Sequence, residues 1–305
     1  MIRHYPNAPT PPSGPAASRL RRAPVSRLCT DWVNWGMYPS TIYNLRGAHA
    51  YAERPIRIKK ERPTMNIVLT NDDGFDAPGL LAAYRALSAM GKVYVVAPTT
   101  ERSACGHSIT LRRPITVDRI DHGPLGTVFA VDGTPADCVR LAVSALIDKP
   151  IDLVFSGINA GANAGVDTHY SGTVAGAREA AILGIPAIAM SQAIRADVPR
   201  DWDAAGKLAA HLIPKLLDEE LLGAGFWSVN FPAPIPSDVR DRIHHVPIAA
   251  HPMPMLFDRK EHQDGRMEFA YGASYWLREV TGPSDYSVIR DGGVAVTAIP
   301  TYGKF

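Results

Sequence analysis

The chain has 305 residues, 46% of them apolar, and a net charge of only +2, enough to bury a substantial core in one or two domains. The charge is unevenly spread: residues 1–64 carry eleven Lys/Arg against three Asp/Glu, and the remainder carries 21 against 27, which excludes a broad nucleic-acid-binding surface on that acidic remainder. Three scattered cysteines, Cys29, Cys105 and Cys138, exclude a disulfide framework and a structural zinc site and fit a reducing compartment, and no run of roughly 18 apolar residues is present to span a membrane.

Residues 1–64 read as an extension outside the folded domain. Pro6, Pro9, Pro11, Pro12 and Pro15 crowd its start, and no helical or strand periodicity follows. The segment is Arg-rich and acid-poor, as transit peptides are, but has no amphipathic helix or secretory apolar region. A disordered tail, a targeting segment and upstream sequence ahead of a start at Met65 all fit this composition. Trp32, Trp35 and Tyr38 argue against a purely disordered tail; a dispensable extension is the reading adopted.

From Met65 the pattern becomes regular. A short apolar run, Ile67-Val68-Leu69, ends abruptly in Thr70-Asn71-Asp72-Asp73-Gly74, the signature of a buried strand stopping at a loop. Pro78 opens a helix over 79–90 with Leu80, Tyr84 and Leu87 on one face, and Gly91 is its expected stop. A second strand over 92–97 leads to a polar loop, 98–108, containing Arg102-Ser103. Residues 111–131 alternate loosely and break at Pro114, Gly123, Pro124 and Gly126, as short strands or hairpins beside the sheet would. Thr134 as N-cap, Pro135 at the first helical position and Asp137 in the first turn start another helix.

A buried strand over 151–155 then gives way to Ser156-Gly157-Ile158-Asn159, and Tyr170-Ser171-Gly172-Thr173 opens a helix that Gly184 ends. Further strands are expected over 185–190, 226–231 and 243–247. A helix over 203–217 carries Leu208, Leu212 and Leu216 on one stripe, with Pro214 positioned to bend or shorten it. This alternation predicts an α/β fold: a Rossmann-like, three-layer αβα arrangement around a mostly parallel sheet, over residues 65–248. Residues 249–305 break the pattern. Strand-like stretches over 267–278 and 287–299 flank a turn at Gly282-Pro283-Ser284-Asp285, which reads as a long hairpin or arm suited to subunit contacts.

Loops at the carboxyl ends of strands in one open sheet lie along a common edge, where ligands bind. Asn71-Asp72-Asp73, Arg102-Ser103 and Ser156 to Asn159 can therefore converge. Two carboxylates, a hydroxyl and a side-chain amide make an all-oxygen set suited to Mg²⁺, Mn²⁺ or Ca²⁺. Each component also has a plainer reading: Asn71 to Gly74 as an Asx turn, Ser103 as a loop hydroxyl, Asn159 as a turn residue. Ser171-Gly172-Thr173 combines backbone N–H groups at a helix start with hydroxyls and no bulk, a natural phosphate cradle, although N-capping by Ser171 alone explains it equally well. His107 and His169 lie near these loops and could move protons; surface or satisfied histidines are the plainer reading. No Gly-x-Gly-x-x-Gly follows the first strand and no Walker lysine motif occurs, which disfavours a nicotinamide oxidoreductase.

Taken in order, Met65 to Gly74, Arg102-Ser103, Gly133-Thr134-Pro135-Ala136-Asp137-Cys138, Ser156-Gly157-Ile158-Asn159-Ala160-Gly161 and Tyr170-Ser171-Gly172-Thr173-Val174 resemble the SurE family, the survival-protein 5′-nucleotidases. The resemblance runs from Met65 to about Thr301 and includes Asp285-Tyr286 and Gly293 to Thr297. It implies an enzyme releasing phosphate from nucleoside monophosphates, with one divalent cation per subunit (Mg²⁺, Mn²⁺ or similar) held by Asp72, Asp73, Ser103 and Asn159. It further implies Asp72 and Asp73 in catalysis, phosphate held by Asn71, Ser171, Gly172 and Thr173, and a cytoplasmic homodimer or homotetramer exchanging its C-terminal arm, with no nucleic acid or membrane partner. The loop Cys105-Gly106-His107 departs from the more polar or small residues common in relatives. A broader phosphomonoesterase or exopolyphosphatase, and a nucleotide-binding regulator without turnover, are the competing functions; two adjacent metal-holding carboxylates argue against the regulator.

Overall fold

The computed structural model describes residues 64–301, apart from 220, 222–224, 253, 273, 274 and 281. The 1–63 extension, with Cys29, Trp32, Trp35 and Tyr38, lies outside the described residues. In chain order the elements are β1 (Met65–Thr70), α1 (Pro78–Leu87), β2 (Gly91–Pro98), β3 (Val117–Asp121), β4 (Thr127–Val131), α2 (Pro135–Leu141), β5 (Leu153–Ala160), α3 (Gly172–Ile182), β6 (Ala187–Gln192), α4 (Trp202–Asp218), β7 (Gly225–Phe231), β8 (Ile243–His245), β9 (Phe257–Glu261), β10 (Met267–Tyr271), α5 (Asp285–Arg290) and β11 (Val294–Pro300).

Nine strands form one sheet in the order β3-β4-β2-β1-β5-β6-β7-β11-β8. From β4 to β7 all neighbours are parallel, while β3 and β11 run antiparallel to β4 and β7. β1 sits mid-sheet, and its centre, Ile67-Val68-Leu69, is an unbroken apolar run because both of its faces are covered. Ile67 and Leu69 pack with Leu80 of α1 and Leu208 of α4; Val68 packs on the other face with Val139 of α2 and Val174 of α3. These are the three layers expected of a Rossmann-like fold. The chain moves from β1 to β2 on one side and later to β5 on the other, so strand order reverses at β1 and leaves a crevice at its carboxyl end.

Several elements differ from expectation. Gly91 does not cap α1; it is the first residue of β2 and lies so close to β1 that a Cβ there would stand 2.1 Å from the Met65 carbonyl oxygen. The β3–β4 hairpin joins the edge of the sheet, since β4 pairs with β2. β5 does not stop at Phe155: a register shift between Ser156 and Asn159 absorbs the extra residues, and Asn159 and Ala160 pair again with Ser191 and Gln192. α4 runs through Pro214 to Asp218, because burying Leu208, Leu212 and Leu216 offsets the one lost backbone bond.

The largest difference is C-terminal. The arm is the hairpin β9–β10 over 257–271, with the upstream strand supplied by Phe257–Glu261. Residues 287–299 are not its partner. Ser284 and Ser287 form a reciprocal capping box that starts α5, and the apolar run that follows enters the main sheet as β11 beside β7. Every residue of β9 and β10 is exposed, whereas Val294 to Val296 are buried.

Candidate active site

β2, β1 and β5 are neighbours, so the loops after them share one edge. Asp72 follows β1 and is buried, 5% exposed. Thr173, fully buried in the first turn of α3, donates its hydroxyl to Asp72 Oδ1. The approach depends on Gly172: a Cβ there would lie 2.8 Å from Asp72 Cβ and 2.9 Å from both Asp72 Oδ2 and Cys105 Sγ. The α3 N-terminus, the Cys105 thiol and the Asp72 carboxylate thus meet where one glycine leaves room. Asp73 is half-buried and accepts the Ala160 backbone N–H at 3.1 Å, a bond that exists only because the bulged β5 carries on past Ser156.

Both carboxyl groups are pushed up. Burial raises Asp72 to about 6, against the Thr173 hydrogen bond, with the charge of Asp73 adding to the rise. Burial raises Asp73, the Ala160 N–H acting against it, Glu101 adding to it and Arg200 opposing it. Among the described residues neither carboxylate forms an ion pair. Two adjacent desolvated acids with no ion-paired base among the described residues have the character of a cation site.

The remaining predicted ligands stand on the same edge. The Ser103 hydroxyl donates to Glu101 Oε1 at 2.5 Å. Asn159 directs its amide nitrogen to the Gly161 carbonyl at 2.7 Å, so the oxygen, the atom that ligates hard cations, is not used in that bond. Asp72, Ser103 and Asn159 line one cleft of about 590 Å³. Among the described residues no three His, Cys, Asp or Glu side chains gather as a metal site; the set here is two carboxylates with neutral oxygens. Mg²⁺-type sites of that kind are completed by substrate phosphate and water, and the residues present fit such an ion.

The phosphate-holding residues are partly committed elsewhere. Ser171 caps α3 by accepting the Val174 N–H at 3.0 Å, and Thr173 serves Asp72. What this turn leaves for an anion is backbone N–H and the helix dipole. Asn71 is fully buried and donates to the Gly74 carbonyl at 2.8 Å, while its Oδ1 has no partner among the described residues. His107 does not face the carboxylates: its Nε2 meets Glu179 Oε2 at 2.8 Å, beside Arg140 on the other oxygen of Glu179 at 2.7 Å. Those contacts tie the Ser103 loop to α2 and α3. His169 is exposed. Asp137 is also structural, closing the capping box with Thr134 and accepting the Thr110 N–H and hydroxyl.

Nothing local in the sequence marks Ala160 as a partner of Asp73, Cys105 as a neighbour of Asp72, or the further wall of the cleft. That wall holds Tyr170 and Asp167 with Met255, Phe257 and Tyr271, the last two from the arm. Asp167 is held by Arg278, whose guanidinium also reaches the Ala164 carbonyl at 2.7 Å and whose side chain is wholly buried. Neighbouring Asp285 accepts three backbone N–H groups, from Gly165, Ala249 and Tyr286. Only sheet order and the path of the C-terminal segment bring these groups to the cleft; no local sequence signal marks them.

Comparison with known proteins finds the family model for survival protein SurE over residues 67–250. A 5′-nucleotidase SurE of Geobacter sulfurreducens is 48% identical over 168 residues, covering 55% of this chain and 62% of the relative. One from Methylococcus capsulatus is 39% identical over 235 residues, 77% of this chain and 91% of the relative. Among solved structures, the SurE protein from Aquifex aeolicus superposes with a TM-score of 0.68 at 33% identity, covering 78% of this chain and 94% of that one.

Proposed function

The chain belongs to the SurE family, and on that premise we propose that it hydrolyses nucleoside 5′-monophosphates to nucleoside and phosphate, with a divalent cation at the edge formed by Asp72, Asp73, Ser103 and Asn159. The observation that carries this reading is the pair of adjacent carboxylates, one buried and one half-buried, both raised and neither ion-paired among the described residues, at the point where strand order reverses. Bound there, the cation would polarise a phosphoryl oxygen and offset the charge that develops in the transition state.

The protein's own groups do the rest. Thr173 and the Ala160 N–H hold the two carboxylates in place from opposite sides. The first-turn N–H groups of α3, brought close by Gly172, face the substrate's phosphate. Asp73, the more accessible of the pair, orients the attacking water in line with the leaving oxygen; Asp72, buried and bonded to Thr173, stays in place as a fixed anion. The exposed apolar residues of the arm, Met267 and Phe269 among them, support subunit contact in a homodimer or homotetramer. No helix among the described residues is long and apolar enough to cross a membrane, and a cytoplasmic location completes the reading.

The test is phosphate release from a nucleoside monophosphate with and without added Mg²⁺ or Mn²⁺. We expect turnover only with metal, and a loss of at least roughly 10²-fold for Asp73→Asn, on the scale of removing one electrostatic element of an active site. Full activity after chelation would overturn the proposal. Glycerol phosphate and polyphosphate in the same assay rank the broader phosphatase reading against it.

A further inference from the structure

The cleft that holds Asp72, Ser103 and Asn159 is also walled by Tyr170, Val166 and Pro252 and, from the C-terminal segment, by Met255, Phe257 and Tyr271. These are large apolar or aromatic groups standing in solvent: Met255 is 83% exposed, Tyr170 63%, Phe257 56% and Tyr271 50%. Phe257 and Tyr271 are paired across the hairpin and pack edge to face, ring centres 5.2 Å apart. An exposed aromatic cluster continuous with a polar binding end marks a ligand surface more readily than a scatter of surface residues does.

We propose that this arm-borne aromatic wall receives the nucleoside half of the substrate, so that Phe257 and Tyr271 determine the preference for nucleotides over small phosphate esters. The inference rests on the phosphohydrolase reading of the metal end and adds to it what binds the leaving group. At about 590 Å³ the cleft has room for a nucleotide lying lengthwise, phosphate among the oxygens and base against the rings. The Tyr271 hydroxyl is spent on the Pro254 carbonyl, at 3.0 Å, so Phe257 and Tyr271 offer a base their ring faces, on which any base can stack. The two rings therefore separate nucleotides from small esters.

The experiment compares AMP with glycerol phosphate on the full chain with Mn²⁺. In the double variant Phe257→Leu, Tyr271→Leu the side chains stay apolar, as a subunit contact would require, but the flat π faces are gone. We expect KM for AMP to rise about tenfold, the scale of losing one base–aromatic stack, with kcat little changed, so that the preference for AMP over glycerol phosphate falls by the same factor. Tyr271→Phe retains the wild-type preference, because the hydroxyl is spent on Pro254. A double variant with undiminished preference for AMP overturns the inference and leaves the metal-end reading standing. A wild-type protein that releases phosphate from neither ester overturns both.

Discussion

Two pairs of buried acids lie a few residues from the same cleft, and they differ in where their positive partner comes from. Asp167 and Asp285 are raised by burial, and the chain answers this internally: Arg278 pairs with Asp167, three backbone N–H groups serve Asp285, and the guanidinium lies 5.6 Å over the Tyr286 ring. Asp72 and Asp73 are raised by the same cause, and although the Thr173 hydroxyl, backbone N–H groups and the charge of Arg200 oppose the rise, neither has an ion-paired base among the described residues. The first pair reads as a rivet that fastens the C-terminal segment to the cleft wall. The second is incomplete until something positive arrives. Burial and raised pKa are common to both, so neither property alone identifies a site; the lack of an ion-paired base among the described residues is what sets the second pair apart.

The sharpest way to break this contrast is to remove the internal cation. Arg278→Leu leaves Asp167 buried and unpaired, and loss of one partner from a buried pair costs about 3–5 kcal/mol. Thermal or urea unfolding should show that loss, whereas Asp72→Asn in the metal-free protein should cost little or stabilise it, since it removes an unpaired charge. Equal costs for the two would erase the distinction.

Next in size is Gly172→Ala. Its methyl would collide with Asp72 Cβ and Oδ2, so we expect metal affinity to fall roughly tenfold or more, with the rest of the fold nearly unaffected. Titration with Mn²⁺ followed by calorimetry reads this directly; unchanged affinity would mean that α3 does not brace the carboxylate.

The smallest effect is on pH. Asp72 titrates near 6 in the folded protein and at 3.8 when unfolded, so the folded metal-free form binds the extra proton. Its contribution therefore favours folding at low pH and is lost as pH rises from about 4 through 6. A cation must displace that proton, so metal affinity should weaken by about tenfold per unit as pH falls below 6 and level off above it. A flat affinity between pH 5 and 7.5 would show that Asp72 is ionised without the metal, and the asymmetry between the two acid pairs would then be much smaller.

Much of this was readable from local sequence. β1 and the Asp pair announce themselves as an apolar run cut short by turn residues, and Ser103 and Asn159 each follow a comparable run. The Thr134-Pro135 and Ser171-Gly172 helix starts are legible because capping is a matter of a few consecutive residues. The hydroxyl of Thr173 was a different matter: a cradle for phosphate and a brace for Asp72 look identical in sequence. The C-terminal strand was mispaired for a similar reason, since an apolar run such as Val294 to Ile299 states that it is buried but not beside which neighbour.

What the chain determined by itself is the class of fold, several of its helix starts and the oxygen character of the proposed metal edge, all of which follow from side-chain periods of two and 3.6 and from turn chemistry within a few residues. Tertiary structure decided which loops face one another. The bulge that sends Ala160 to Asp73, the glycine that lets α3 touch Asp72, and the arm that closes the cleft with Phe257 and Tyr271 all join residues 87 to 199 positions apart. Such pairings depend on sheet order and register, which the whole core selects together and no short stretch encodes.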